Sequence, residues 1–164
     1  MSFFSTSNLR YWLLAILIVI TDQISKYAVL RHFQFAERRI VLPDFFDLTL
    51  VYNTGAAFSF LAGAGGWQKY FFILLALIIS LWLAKGIVGQ ELGGFGRWGA
   101  AMVIGGAHGN LIDRFIHGHV IDFLLFYWKN WHYPAFNVAD SFICIGAALL
   151  VIDNFKHKRQ DDET

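Results

Sequence analysis

The run from Phe71 to Ala84, FFILLALIISLWLA, contains no charged side chain, and no other feature of the chain limits its fold as severely. It lies inside a longer apolar stretch from about Tyr70 to Val88, close to the roughly 20 helical residues needed to cross a hydrocarbon core. Three further stretches have similar length: about 11–30, 98–115 and 136–155. The composition agrees. Of the 164 residues 57% are hydrophobic and 15% charged, whereas soluble domains carry about 25% charged residues. Too few polar side chains remain to cover a soluble fold of this size. The apolar content and the net charge of +1 also exclude intrinsic disorder and leave no electrostatic footprint for nucleic acid. Cys144 is the only cysteine, so no disulfide can form within the chain. The predicted fold class is an all-α integral membrane protein: four transmembrane helices in one polytopic domain over residues 1–164.

The first stretch also resembles a signal peptide, with Arg10 ahead of an apolar run to Ile20, but TDQISKY follows instead of a small-x-small cleavage site. It is expected to stay as a helix. An even number of spans puts both termini on one side, and the KHKR cluster directly after the fourth span places that side in the cytoplasm. Two long outer connections follow from this orientation. IVLPDFFDLTLVYN ends in the turn signal Asn53-Thr54-Gly55 and predicts a strand or hairpin at the membrane surface, an outer β segment at about 40–60. The AGAGG before Trp67 reads as a flexible break. HGHVIDFLLFYWKNWHYP is aromatic and partly apolar, as expected of a segment resting among headgroups.

Ionisable groups inside a membrane are expensive and therefore functional candidates. Here they are distributed unevenly. Asp22, Lys26, Asn53, Asn110, Asp113, Arg114, Asp122, Asn137 and Asp140 fall at the outer ends of spans or in the outer connections, while Asp153 stands near an inner end. Asn110, Asp113 and Arg114, spaced i, i+3, i+4, share one helical face; Asp113 reads as structural, and the fork of Arg114 can hold a carbonyl or a lipid phosphate. The Gly105-Gly106-Ala107-His108-Gly109 segment suits close helix approach rather than phosphate binding. Asp122 (HVIDFLLF) and Asp140 (FNVADSFI) sit in apolar surroundings. If they meet, they would share one proton and could act as general base and general acid. Helix capping and ion pairing are the alternatives for these two aspartates. His117, His119 and Asp122 have the residue types of a metal site, against interfacial histidines in a wet loop. Cys144 reads as a packed core thiol.

Five motifs in order give the chain a specific resemblance: DQISK (22–26), NTGAAFS (53–59), GNLIDR (109–114), VIDF (120–123) and FNVAD (136–140). Together they resemble the bacterial lipoprotein signal peptidases (signal peptidase II). The resemblance implies an aspartyl endopeptidase of the bacterial cytoplasmic (inner) membrane, with its active site near the outer leaflet. It would remove the signal peptide from prolipoproteins just before the diacylglyceryl-modified cysteine. It implies Asp122 and Asp140 as the catalytic pair. Asp22, Lys26, Asn53, Gly55, Asn110, Arg114, Asn137 and Ala139 would bind substrate or support the pair. The implied fold adds a small extracytoplasmic sheet and a short covering helix, around Ala62–Trp67, to the four spans. No metal or organic cofactor is expected. The expected partners are prolipoprotein substrates, membrane lipids and globomycin-class inhibitors, with the enzyme a monomer. His108 departs from the apolar residue usual in the GGA-x-GN segment. The competing classes are a small proton-linked transporter or channel subunit and a non-catalytic assembly subunit. The uneven placement of polar residues argues against a conduction path, which needs them at every depth.

Overall fold

The computed structural model describes residues 6–55 and 65–162. In chain order these form α1 (Thr6–His32), β1 (Arg38–Leu42), β2 (Phe46–Asn53), α2 (Gln68–Gly89), α3 (Gly94–Ile116), β3 (Val120–Trp128), β4 (Trp131–His132) and α4 (Val138–Asp162). Each of the four apolar stretches therefore becomes a helix. Three are long and apolar enough to cross a membrane: Ser7–His32, Gln68–Gly89 and Val138–Lys156. α3 has the length, but glycine and a polar C-terminal end dilute it.

That dilution follows from where α3 sits. It is the central helix, packed against α1, α2 and α4, and small residues set the spacing. A Cβ on Gly99 would lie 2.6 Å from the Gly146 carbonyl oxygen, and one on Gly146 would lie 2.6 Å from that of Gly99. A Cβ on Gly105 would lie 2.8 Å from the Ala15 carbonyl oxygen of α1. Backbones this close gain dispersion contacts that lipid cannot supply. α2 is the opposite case. It is apolar on all sides, and Leu81 and Trp82 are 72% and 68% exposed, facing outward where a bilayer would lie. At the end of the bundle away from the sheet, Asp153 of α4 accepts a 2.8 Å hydrogen bond from the Gly93 N–H and so caps the start of α3.

The strands form one antiparallel sheet in the order β1-β2-β3-β4. In the β2–β3 pair Val51 faces Asp122 and Asn53 faces Val120, after a register shift between Leu48 and Val51. The segment expected to rest among headgroups is thus largely a central strand. Its apolar run does not alternate because the first half, Val120–Phe123, is buried on both faces. The β expectation at 40–60 holds for β1 and β2. Its end, and most of the covering helix expected around Ala62–Trp67, fall on residues 56–64, outside the described residues; 65–67 form a turn. The fourth span starts two residues later than expected, because Phe136 is used in a bridge to Leu124 and Asn137 caps the helix.

The packing predicts that Gly99→Ala and Gly146→Ala each destabilise the protein by about 1–3 kcal/mol, the cost of overpacking a close contact. Gly94→Ala, where nothing lies within 4 Å of the added carbon, does not. Thermal unfolding in detergent compares the three.

Candidate active site

α1 contributes Asp22, Gln23 and Lys26 from one face near its C-terminal end. Lys26 is 1% exposed, and its ammonium lies 2.8 Å from Asp22 Oδ2, 2.8 Å from Asp113 Oδ2 and 2.9 Å from Asn110 Oδ1. A buried ammonium needs such a cage, since its three N–H donors would otherwise go unpaired. Each acid also holds a backbone N–H. Asp22 Oδ1 accepts the Ala139 N–H at 2.9 Å, and Asp113 Oδ2 accepts the Ile121 N–H at 3.1 Å. α1 and α3 thereby pin the residue preceding Asp140 and the residue preceding Asp122.

The start of α4 is a reciprocal cap. Asn137 Oδ1 accepts the Asp140 N–H at 2.9 Å, and the Asn137 N–H reaches Asp140 Oδ2 at 3.3 Å. The side-chain amide of Asn137 then bridges to β3, donating to Asp122 Oδ1 at 2.7 Å. Asn53, diagonal to Asp122 across the β2–β3 ladder, donates to Asp122 Oδ2 at 3.0 Å. Asn110 donates to Asp140 Oδ1 at 2.7 Å. Both carboxylates are therefore held by asparagine amides, which fix their positions without adding compensating charge. The backbone pairing of Leu124 with Phe136 sets the start of α4 beside the middle of β3 and so brings the two acids into one site. Burial first, and the neighbouring Asp140 second, push Asp122 up to about 7 against the hydrogen bonds of Asn53 and Asn137. Such a carboxyl exchanges its proton near neutral pH.

Arg114 closes the site on the loop side. It donates to the Gly55 carbonyl at 2.8 Å and lies 5.0 Å from the centre of the Phe72 ring. Gly55 also donates to Asn53 Oδ1 at 2.9 Å. Asp113 pairs with Lys26 and Gln23, while Arg114 donates to the backbone carbonyls of Asn110 and Gly55. A cavity of about 750 Å³ runs between α2, α3 and α4, with Asn53, Asn110, Arg114 and Asp140 at one end and residues such as Leu75 and Ile143 along it. Cys144 also lines it and is exposed, which corrects the expectation of a packed thiol. α4 presents Ala139, Ile143 and Gly146 to α3 and turns Cys144 away.

All the residues expected from the sequence at this site meet there. The His117–His119–Asp122 alternative does not form. His117 and His119 stack at 5.9 Å, His119 lies on Tyr52 at 4.2 Å, and Asp122 is engaged by the asparagines. Burial, and then the charge of His117, hold His119 below the usual histidine range. Among the described residues, no group of three or more His, Cys, Asp or Glu side chains is placed to hold a metal ion. His108 hydrogen-bonds the Ile104 carbonyl at 2.9 Å and lines a separate groove between α1 and α2. The sequence reading missed Gln23, although it stands three residues before Lys26 on the same helical face. The aromatic residues Phe126, Tyr133 and Phe136, from the segment read as aromatic and the start of the fourth stretch, line the cavity.

A helical bundle with a sheet over one end, and a carboxylate pair between them, defines a membrane enzyme. Its architecture matches a solved structure described as a bacterial membrane enzyme obtained by the in meso method at 2.3 Å resolution, with a TM-score of 0.84, 30% identity, and 94% of this chain and 93% of that one covered. The family model described as signal peptidase (SPase) II matches residues 14–156. The lipoprotein signal peptidase of Neisseria gonorrhoeae (strain ATCC 700825 / FA 1090) is 61% identical over 159 residues, 97% of each chain, and that of Chromobacterium violaceum is 53% identical over 148 residues, 90% of this chain and 91% of the relative. The chain belongs to the signal peptidase II family of bacterial membrane peptidases.

The buried position of Asp122 predicts a protonated carboxyl band in the infrared spectrum that titrates near pH 7. The band should disappear in Asp122→Asn while the other carboxyl signals remain.

Proposed function

We propose that the chain is an aspartic-type endopeptidase that cleaves the signal peptide from diacylglyceryl-modified prolipoproteins just before the lipidated cysteine. Asp122 and Asp140 are its catalytic pair. The observation that carries this reading is the placement of Asp140 in the lining of a largely apolar cavity between helices, with Asp122 joined to it through Asn137. A lipid-linked peptide has the same division: an amide to hydrolyse and acyl chains to bury.

Near neutral pH the pair holds one shared proton. Asp122 is the member that keeps it, and Asp140, at the start of α4 where backbone N–H groups favour an anion, is the base. Water gives a proton to Asp140 and its oxygen attacks the scissile carbonyl carbon. The departing amine takes the proton held by Asp122 as the C–N bond breaks. Amide donors around the site stabilise the charge that develops on the carbonyl oxygen. No acyl-enzyme forms, because the nucleophile is water. Arg114, which donates to the Gly55 carbonyl, holds the backbone just after β2 against α3. Acyl chains contribute about 0.8 kcal/mol per buried methylene, so an unlipidated precursor is a poor substrate. A globomycin-class lipopeptide would compete for the same cavity.

In this reading all four helices cross the cytoplasmic membrane, both termini are cytoplasmic and the pair lies near the outer leaflet. A reporter fused after Thr164 should then report cytoplasm, and one inserted near Gly65 the outer side. Asp122→Asn and Asp140→Asn should each lower cleavage of a lipid-modified precursor by at least about a hundredfold without unfolding the protein. Substantial turnover by either purified variant would overturn the assignment. Cleavage should also decline as pH rises above about 7, because a carboxyl whose pKa is raised to that value loses the proton it must donate.

A further inference from the structure

Gln23 has no part in the mechanism above, yet its amide contacts both acids of the lysine cage. Its Nε2 donates to Asp113 Oδ1 at 2.9 Å and to the Gly109 carbonyl at 3.1 Å, and lies 3.3 Å from Asp22 Oδ2. The cage brings two carboxylates to a single ammonium, leaving one excess negative charge when all three groups are ionised. Both acids are 0–1% exposed, so water cannot disperse that charge. The nearest uncharged donor is the Gln23 amide. Each acid has a second duty as well: Asp22 holds the Ala139 N–H next to Asp140, and Asp113 holds the Ile121 N–H next to Asp122. Lys26, the third member, holds Asn110, whose amide donates to Asp140.

We propose that Gln23 is a positioning residue that sets the spacing of the catalytic pair, because its amide donates to the one acid and bridges to the other that together anchor the backbone beside Asp122 and Asp140. Close approach of α1 and α3 leaves room for it. A Cβ on Gly109 would lie 2.5 Å from Asp22 Oδ2, so glycine there lets the Asp22 carboxylate lie against α3 within reach of the amide. This assignment rests on the peptidase reading, and it assigns Gln23 no contact with substrate.

Two substitutions separate positioning from mere packing. Gln23→Met keeps the length and loses both N–H donors; kcat should fall about ten- to a hundredfold, the range for a lost hydrogen bond to a charged group, with KM nearly unchanged because the substrate cavity is untouched. Gln23→Glu keeps the shape and restores one donor only when protonated. The charged groups facing position 23 are Asp22 and Lys26 on α1 and Asp113 on α3, with Asp122 on β3 and Asp140 on α4 beyond Lys26. Activity of Gln23→Glu relative to wild type should therefore rise as pH falls from 8 to 5, while the Gln23→Met ratio stays flat. Wild type and Asp122→Asn are assayed in parallel on the same lipid-modified precursor. Wild-type kcat in Gln23→Met, or a flat ratio for Gln23→Glu with active wild type, overturns the assignment. If Gln23→Met does not fold, the Gln23→Glu profile decides alone. An inactive wild type or an active Asp122→Asn overturns the peptidase reading itself.

Discussion

The ammonium of Lys26, buried between Asp22 and Asp113, is the interaction on which the rest of the site depends. Removing one partner of a buried ion pair leaves an uncompensated charge and costs about 3–5 kcal/mol, so these three residues stand or fall together. Their backbone contacts carry that rigidity outward. Asp22 ties α1 to the first turn of α4, and Asp113 ties α3 to the start of β3. The two proposed catalytic carboxyls are each one residue from such a tie. The site is thus built from five separate elements, α1, β2, α3, β3 and α4, and its geometry comes from an ion cage rather than from loops.

Small residues make the cage possible. Glycines along α3 let α1 and α4 approach to backbone distance, so that short side chains such as Asp22 can reach across to a neighbouring helix. A bundle spaced by leucine would hold these helices too far apart for one lysine to serve two acids and an asparagine. The same feature explains why α3, unlike the other three helices, has no stretch apolar enough to cross a membrane by composition: it faces protein, whereas α2 faces outward with Leu81 and Trp82. A central helix rich in glycine and ringed by apolar neighbours is a consequence of building polar chemistry inside a lipid-facing shell.

Helical periodicity made part of the site legible. Asp22 with Lys26, and Asn110 with Asp113 and Arg114, share faces by spacing alone, and the concentration of polar residues toward one end was visible in the bare sequence. That Asp122 and Asp140 meet was not, because the contact depends on the pairing of Leu124 with Phe136, a tertiary event with no local signal. β3 was hidden for a related reason: a strand buried on both faces loses its alternation and looks like an interfacial apolar run. Cys144 was misplaced because apolarity signals burial in water but not in a membrane, where an apolar face turns to lipid or to a cavity. Gln23 was legible too, since its spacing puts it on the face of Lys26.

Replacing Lys26 by methionine tests the account most directly, since it removes the charge at the centre of the cage while keeping the stem. Thermal unfolding and cleavage of a lipid-modified precursor should be measured on the same purified sample. The account predicts a loss of about 3–5 kcal/mol of stability together with loss of cleavage, and recovery of stability without activity when Asp22→Asn and Asp113→Asn are added. A Lys26→Met protein that unfolds at the wild-type temperature and cleaves at the wild-type rate would contradict it.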